Sequence, residues 1–140
     1  MLDLFFALVT YFSLPERGVE WVFVSPSSVY ECFLDRDRVV FELMGASSDS
    51  GSHGGDVSDS SVPVRVVVEP LSSRANVLVV SYSDKDVAVD LYSVLELFPS
   101  ERGGSVVDFS YNEQSASVFF DGDVLILSSD NGVFSARFAD

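Results

Sequence analysis

The sequence predicts an α+β domain: a mostly antiparallel twisted sheet of about six strands, ending in a C-terminal meander, with one main amphipathic helix packed on one face. Three observations predict it. Short β-branched and aromatic runs recur at 19–24, 39–44, 64–69 and 76–83, and again at 105–111, 115–120, 124–128 and 133–138. Asp121-Gly122 and Asn131-Gly132 separate the last three of these, and such dipeptides favour two-residue hairpins. Within 84–98, Val87, Leu91, Val94, Leu95 and Phe98 form an apolar stripe of helical period.

The remaining elements follow in order. Residues 2–12 are an apolar run whose helix or strand character the pattern leaves open. The run is too short to span a bilayer, lacks a basic leader and carries Asp3. It therefore reads as a buried core element of an intracellular, cytoplasmic protein. Residues 14–18 are a turn by their Pro and Gly. Ser25 and Pro26 suit the N-cap and first position of a short helix, with Val29, Cys32 and Phe33 at helical spacing to about Leu34. Asp35–Arg38 is a polar turn. Residues 45–62 are almost entirely Gly, Ser and Asp, too poor in apolar area to offset their ordering entropy, and predict a flexible loop. Ser83 or Asp84 caps the 84–98 helix and Pro99 stops it. With 140 residues, the halves on either side of the loop are each very small, so 1–140 reads as a single domain.

Composition narrows the function. Twenty-two acidic residues against eight basic ones give a net charge of −14. That surface repels nucleic-acid and anionic membrane phosphates and attracts basic proteins. Lys85, Thr10 and Ile126 are each the only residue of their type, amid abundant Val, Ser, Phe and Asp. Packing does not require that skew. Codons for Lys, Thr and Ile all begin with A, so the skew points to nucleotide bias in a source such as a virus, a phage or a compositionally extreme bacterium.

Chemistry-bearing motifs are sparse. Cys32 is the only cysteine, which leaves no intramolecular disulfide, and its apolar neighbours suggest a buried thiol. His53, the only histidine, lies in the Gly/Ser/Asp loop, where nothing holds a catalytic base in place. One Cys and one His do not make a zinc site. Asp49–Asp56 and Asp121–Asp123 are rich in oxygen but lack the spacing of a calcium loop, and the second is explained by its hairpin. No phosphate-binding glycine motif and no Gly-x-Ser-x-Gly elbow occurs. No cofactor, metal or catalytic residue is assigned.

Val77-Leu-Val-Val-Ser-Tyr-Ser-Asp-Lys-Asp86, followed by Leu91, Leu95 and Glu96, resembles the first conserved box of Toll/interleukin-1 receptor domains, in which a strand ends in a Ser-Tyr-Ser turn and feeds a helix. The resemblance covers about twenty residues. It implies parallel βα units after the box, whereas the residues that follow here read as hairpins. No functional residue is carried over.

The leading expectation is a non-enzymatic acidic module that engages or neutralises a basic protein, like immunity proteins or phage- and virus-encoded inhibitors. Asp86, Asp90 and Glu96 beside the apolar stripe, with Asp35 and Asp37, are the candidate partner-binding residues. A viral accessory or assembly subunit forming homo-oligomers is the alternative. A small carboxylate-dependent hydrolase is a third.

Overall fold

Residues Leu2–Ser13 form a helix, α1, and Leu4, Phe5, Phe6, Ala7, Leu8 and Val9 are all fully buried. Six consecutive buried residues cover every side of a helix, so α1 has no polar face and must be enclosed. The computed structural model, which describes residues 2–13, 18–24, 28–44, 62–71, 76–82, 84–96, 105–130 and 132–139, shows what encloses it. Among the described residues, ten strands make one antiparallel sheet: β1 (Val19–Val24), β2 (Ser28–Asp35), β3 (Arg38–Leu43), β4 (Arg65–Pro70), β5 (Val77–Tyr82), β6 (Lys85–Asp90), β7 (Ser105–Tyr111), β8 (Gln114–Phe120), β9 (Val124–Ser129) and β10 (Gly132–Phe138). A single short helix turn, α2 (Tyr92–Leu95), follows β6.

The spatial order is β6-β5-β4-β3-β2-β1-β10-β9-β8-β7. Every pair of strands consecutive in sequence is adjacent in this order, except β6 and β7, while the first and last strands pair with each other. That is the order of an up-and-down barrel opened at one place. Contacts to α1 show the curl. Phe6 meets Tyr30 of β2 and Phe41 of β3 at centroid distances of 5.2 and 4.5 Å. Phe5 meets Phe134 of β10 at 5.3 Å, and Phe12 stacks on Phe120 of β8 at 4.1 Å. At one end of the sheet, the Tyr111 hydroxyl of β7 donates to Asp3 at 3.2 Å. At the other end, β4, β5 and β6 pack on the same helix. The sheet therefore wraps α1, and the inward residues of its strands join α1 in one hydrophobic cluster.

Several expectations are corrected. Among the described residues the sheet has ten strands, not about six, and no main helix occupies 84–96. Residues 85–90 instead form a strand paired with β5, from Tyr82 opposite Lys85 to Val77 opposite Asp90. Val87 and Val89 face the core, while Asp86, Ala88 and Asp90 are exposed, a period of two that the longer helical stripe concealed. Asp84, at φ 63°, lies in a tight turn and is not a helix cap. The strand–turn–helix implied by the receptor-domain resemblance is thus an antiparallel hairpin. The helix expected up to Leu34 is also a strand, with Tyr30 buried in the core and Glu31 exposed. Ser25 and Pro26, and the loop at 45–61 with His53, lie outside the described residues.

Local turn chemistry supports the meander. Asn112 and Glu113 both have positive φ, the geometry of a two-residue hairpin turn joining β7 to β8. Asp121 accepts hydrogen bonds from the backbone N–H groups of Asp123 and Val124 at 2.9 and 3.0 Å, which fixes the β8–β9 turn. Those same bonds hold its carboxyl below the ordinary value.

One polar atom in the core is costly. Thr10 is buried in α1, and its Oγ1 has no hydrogen-bond partner. Thr10→Val keeps the shape and removes the orphaned hydroxyl. It is expected to stabilise the protein by about 1 kcal/mol, read as a higher urea midpoint at unchanged slope.

Candidate binding surface

Because α1 fills the inside of the sheet, chemistry that meets solvent sits mainly on its outer face. That face has two unlike halves. Across β2 to β6 it carries Glu31, Asp35, Glu42, Glu69, Asp86 and Asp90, interleaved with Arg38 and Arg65. Across β1 and β7 to β10 it carries a ladder of facing residues that is apolar except for Ser135: Val29 of β2 opposite Phe23, Phe23 opposite Ser135, Ser135 opposite Ile126, Ile126 opposite Phe119, and Phe119 opposite Val106, flanked by Asp108 and by Arg137, which pairs with Glu20 at 3.1 Å. The Trp21 ring lies 4.7 Å from that of Phe23.

Within the charged half, Glu31 and Glu42 stand directly opposite one another on β2 and β3. Like charges in a cross-strand pair are destabilising. Arg65 of β4, at 3.9 Å from Glu42, offsets part of that repulsion. Beyond them, the β2–β3 turn forms an open depression of 490 Å³ lined by Asp35, Arg36, Asp37, Arg38 and Glu69. Arg38 pairs with Asp35 at 3.5 Å, with both side chains partly exposed.

The five sequence-predicted residues are therefore only partly brought together. Asp35 and Asp37 lie at the β2–β3 turn beside Glu69. Asp86 and Asp90 are on the outer face of β6 at the end of the sheet, not on a helix. Asp90 also accepts a hydrogen bond from the Tyr92 N–H at 3.0 Å, which starts α2. Glu96 follows α2 and is exposed. Sequence reasoning missed Glu31, Glu42 and Glu69. The signal was present in the alternation Val29, Glu31, Phe33 on one side of β2 and Arg38, Val40, Glu42 on one side of β3.

A second cluster joins the two ends of the sheet. Asp3, at the start of α1, accepts from Tyr111 of β7, and Tyr82 of β5 lies within its electrostatic reach. Burial first, then the Asp3 carboxylate, pushes both phenols above their ordinary value. Asp3 and Tyr111 are 108 residues apart, and nothing in the sequence pairs them. Cys32 faces the core, and desolvation pushes its thiol up to about 12.

Among the described residues, no group of three or more His, Cys, Asp or Glu side chains is placed to hold a metal ion. Among them, too, no helix is long and apolar enough to cross a membrane. Comparison with protein-family models, curated proteins and solved structures returned no match. The fold and surface define a class in structural terms alone: an open, up-and-down antiparallel sheet wound on a buried helix, with most of its outward acidic side chains on the β2 to β6 part.

Proposed function

We propose that this chain is a non-enzymatic protein-binding module whose charged outer half, on β2 to β6, engages a basic protein. The observation that carries this reading is the facing Glu31–Glu42 pair. Two carboxylates held opposite one another cost stability in the free protein, and a cation from a partner relieves that cost on binding. The net charge of −14 adds long-range attraction for the same kind of partner. An immunity-like or inhibitor-like role, in which the acidic surface blocks a basic partner, fits both features.

The reading is tested with Glu31→Gln. The free variant is expected to gain about 0.2–1 kcal/mol of stability, because it loses a repulsion. The same variant is expected to bind basic partners more weakly, with less dependence on salt. Affinity capture from source-cell extract, repeated at low and high salt with both proteins, reads the second effect. Capture that neither salt nor Glu31→Gln alters would overturn the proposal.

A further inference from the structure

We infer that β7 is a strap that closes over the start of α1 and opens on its own while the rest of the fold stays intact, with the hydrogen bond from Tyr111 to Asp3 as its catch. The two ends of the sheet are anchored differently. β6 buries Val89, and the chain that follows it buries Leu91 and Val94, with the Leu91 N–H donating to the Asn76 carbonyl at 2.9 Å. In β7, by contrast, none of residues 106–111 is fully buried, whereas among the described residues each of the other strands buries at least one side chain. Phe109 and Tyr111 pack against the core but are only partly buried. Among the described residues, β7 pairs only with β8. A segment with one unpaired side and few buried apolar contacts opens at lower cost than the core it covers.

Three kinds of contact hold β7. Its ladder to β8 runs from Ser105 opposite Phe120 to Tyr111 opposite Gln114. On the outer face, the Ser117 hydroxyl donates to Asp108 at 2.8 Å, exposed to water. On the inner face, the Tyr111 hydroxyl donates to Asp3 at 3.2 Å. The first two tie β7 to β8 alone, and the third ties it to α1. Asp3 is only 8 % exposed, so the third bond forms away from bulk water, where it is worth more than the exposed one. Tyr82 of β5 lies within reach of the same carboxyl, so the catch stands where the two ends of the sheet approach each other. β8 stays behind when β7 opens, because it buries Ala116, Val118 and Phe120, and Phe120 stacks on Phe12 of α1. The hinge is the turn at Asn112 and Glu113, at φ 53° and 68°. That region disfavours a residue such as Glu, so the turn does little to hold the hairpin shut. Opening uncovers Asp3 and the first turn of α1.

Native-state hydrogen exchange of the full chain, followed by mass spectrometry, tests this. The slowest amides of 105–111 are expected to exchange at least about tenfold faster than those of β3 and β9, and to respond little to dilute urea, which promotes openings that expose much surface. Val22→Ala removes a fully buried side chain from β1, four strands from β7 in the sheet order. It is expected to speed the amides of β3 and β9 about tenfold and to leave 105–111 unchanged, because the strap opens from an intact core. Tyr111→Phe keeps the ring and removes the catch, and is expected to speed 105–111 about tenfold. Dilute urea makes the same distinction as Val22→Ala should that variant fail to fold. Equal exchange in β7 and the core, with an equal response to Val22→Ala or to urea, overturns the strap. Exchange of 105–111 that Tyr111→Phe leaves unchanged overturns the catch. Each of these outcomes leaves the binding of a basic partner by β2 to β6 unaffected.

Discussion

Replacing Phe6 with alanine is expected to cost about 3–5 kcal/mol of stability, the range for removing a fully buried aromatic ring. Phe6 is fully buried and touches Phe5, Tyr30 and Phe41, so one ring ties α1 to β2 and β3. The cavity has little means of collapse, because α1 is held by strands from both ends of the sheet. Against a total stability of about 5–15 kcal/mol, that loss is a large share of the whole. The melting temperature should fall by roughly 10–20 °C. Phe23→Ala removes the same ring from the outer face, where Phe23 is 37 % exposed, and should cost much less. Equal losses for the two variants, measured by urea unfolding, would contradict the placement of α1 at the centre of the core.

The second large effect is alkaline destabilisation. Burial raises the Cys32 thiol to about 12 and also raises the Tyr30 and Tyr111 hydroxyls, the last with help from Asp3. For each of these groups the folded state favours the neutral form more than the unfolded chain does. The resulting stability is complete below the unfolded values and is lost as pH climbs through the folded ones. Loss should begin near pH 9, where a free thiol ionises, and steepen as the phenols of the unfolded chain titrate near pH 10. On the order of a few kcal/mol should disappear by about pH 12. Cys32→Ala should flatten the first part of the profile and leave the tyrosine part. Alkylation of Cys32 should be slow in the folded protein at about pH 8 and fast in urea. A stability profile flat from pH 8 to pH 11 would rule this account out.

Much of the sheet was legible in the sequence. The runs at 19–24, 105–111 and 124–128 and the turn at Asp121 are strands and a hairpin in the structure, because alternation and turn chemistry act over a few residues. The errors fell where two periods competed. Val87, Leu91 and Val94 fit a helical stripe, but Val87 and Val89 fit a strand equally well. Pairing with β5 runs the whole length of 85–90, and that tertiary gain outweighs the local preference. The same competition turned residues 28–35 into a strand.

The candidate surface followed the same division. The acidic composition and the exposed Asp37 and Asp86 could be read directly, whereas the Glu31–Glu42 pair required the register of two strands. By itself, the sequence determined the antiparallel character, the excess of negative charge and the apolar nature of residues 2–12. Only the tertiary structure decided that those residues form a helix at the centre of a ten-stranded sheet. The apolar run at its centre, residues 4–9, has no polar face of its own to specify a period. Its conformation was set by what could surround it: a curved sheet encloses a helix on all sides, and the helix satisfies its own backbone within.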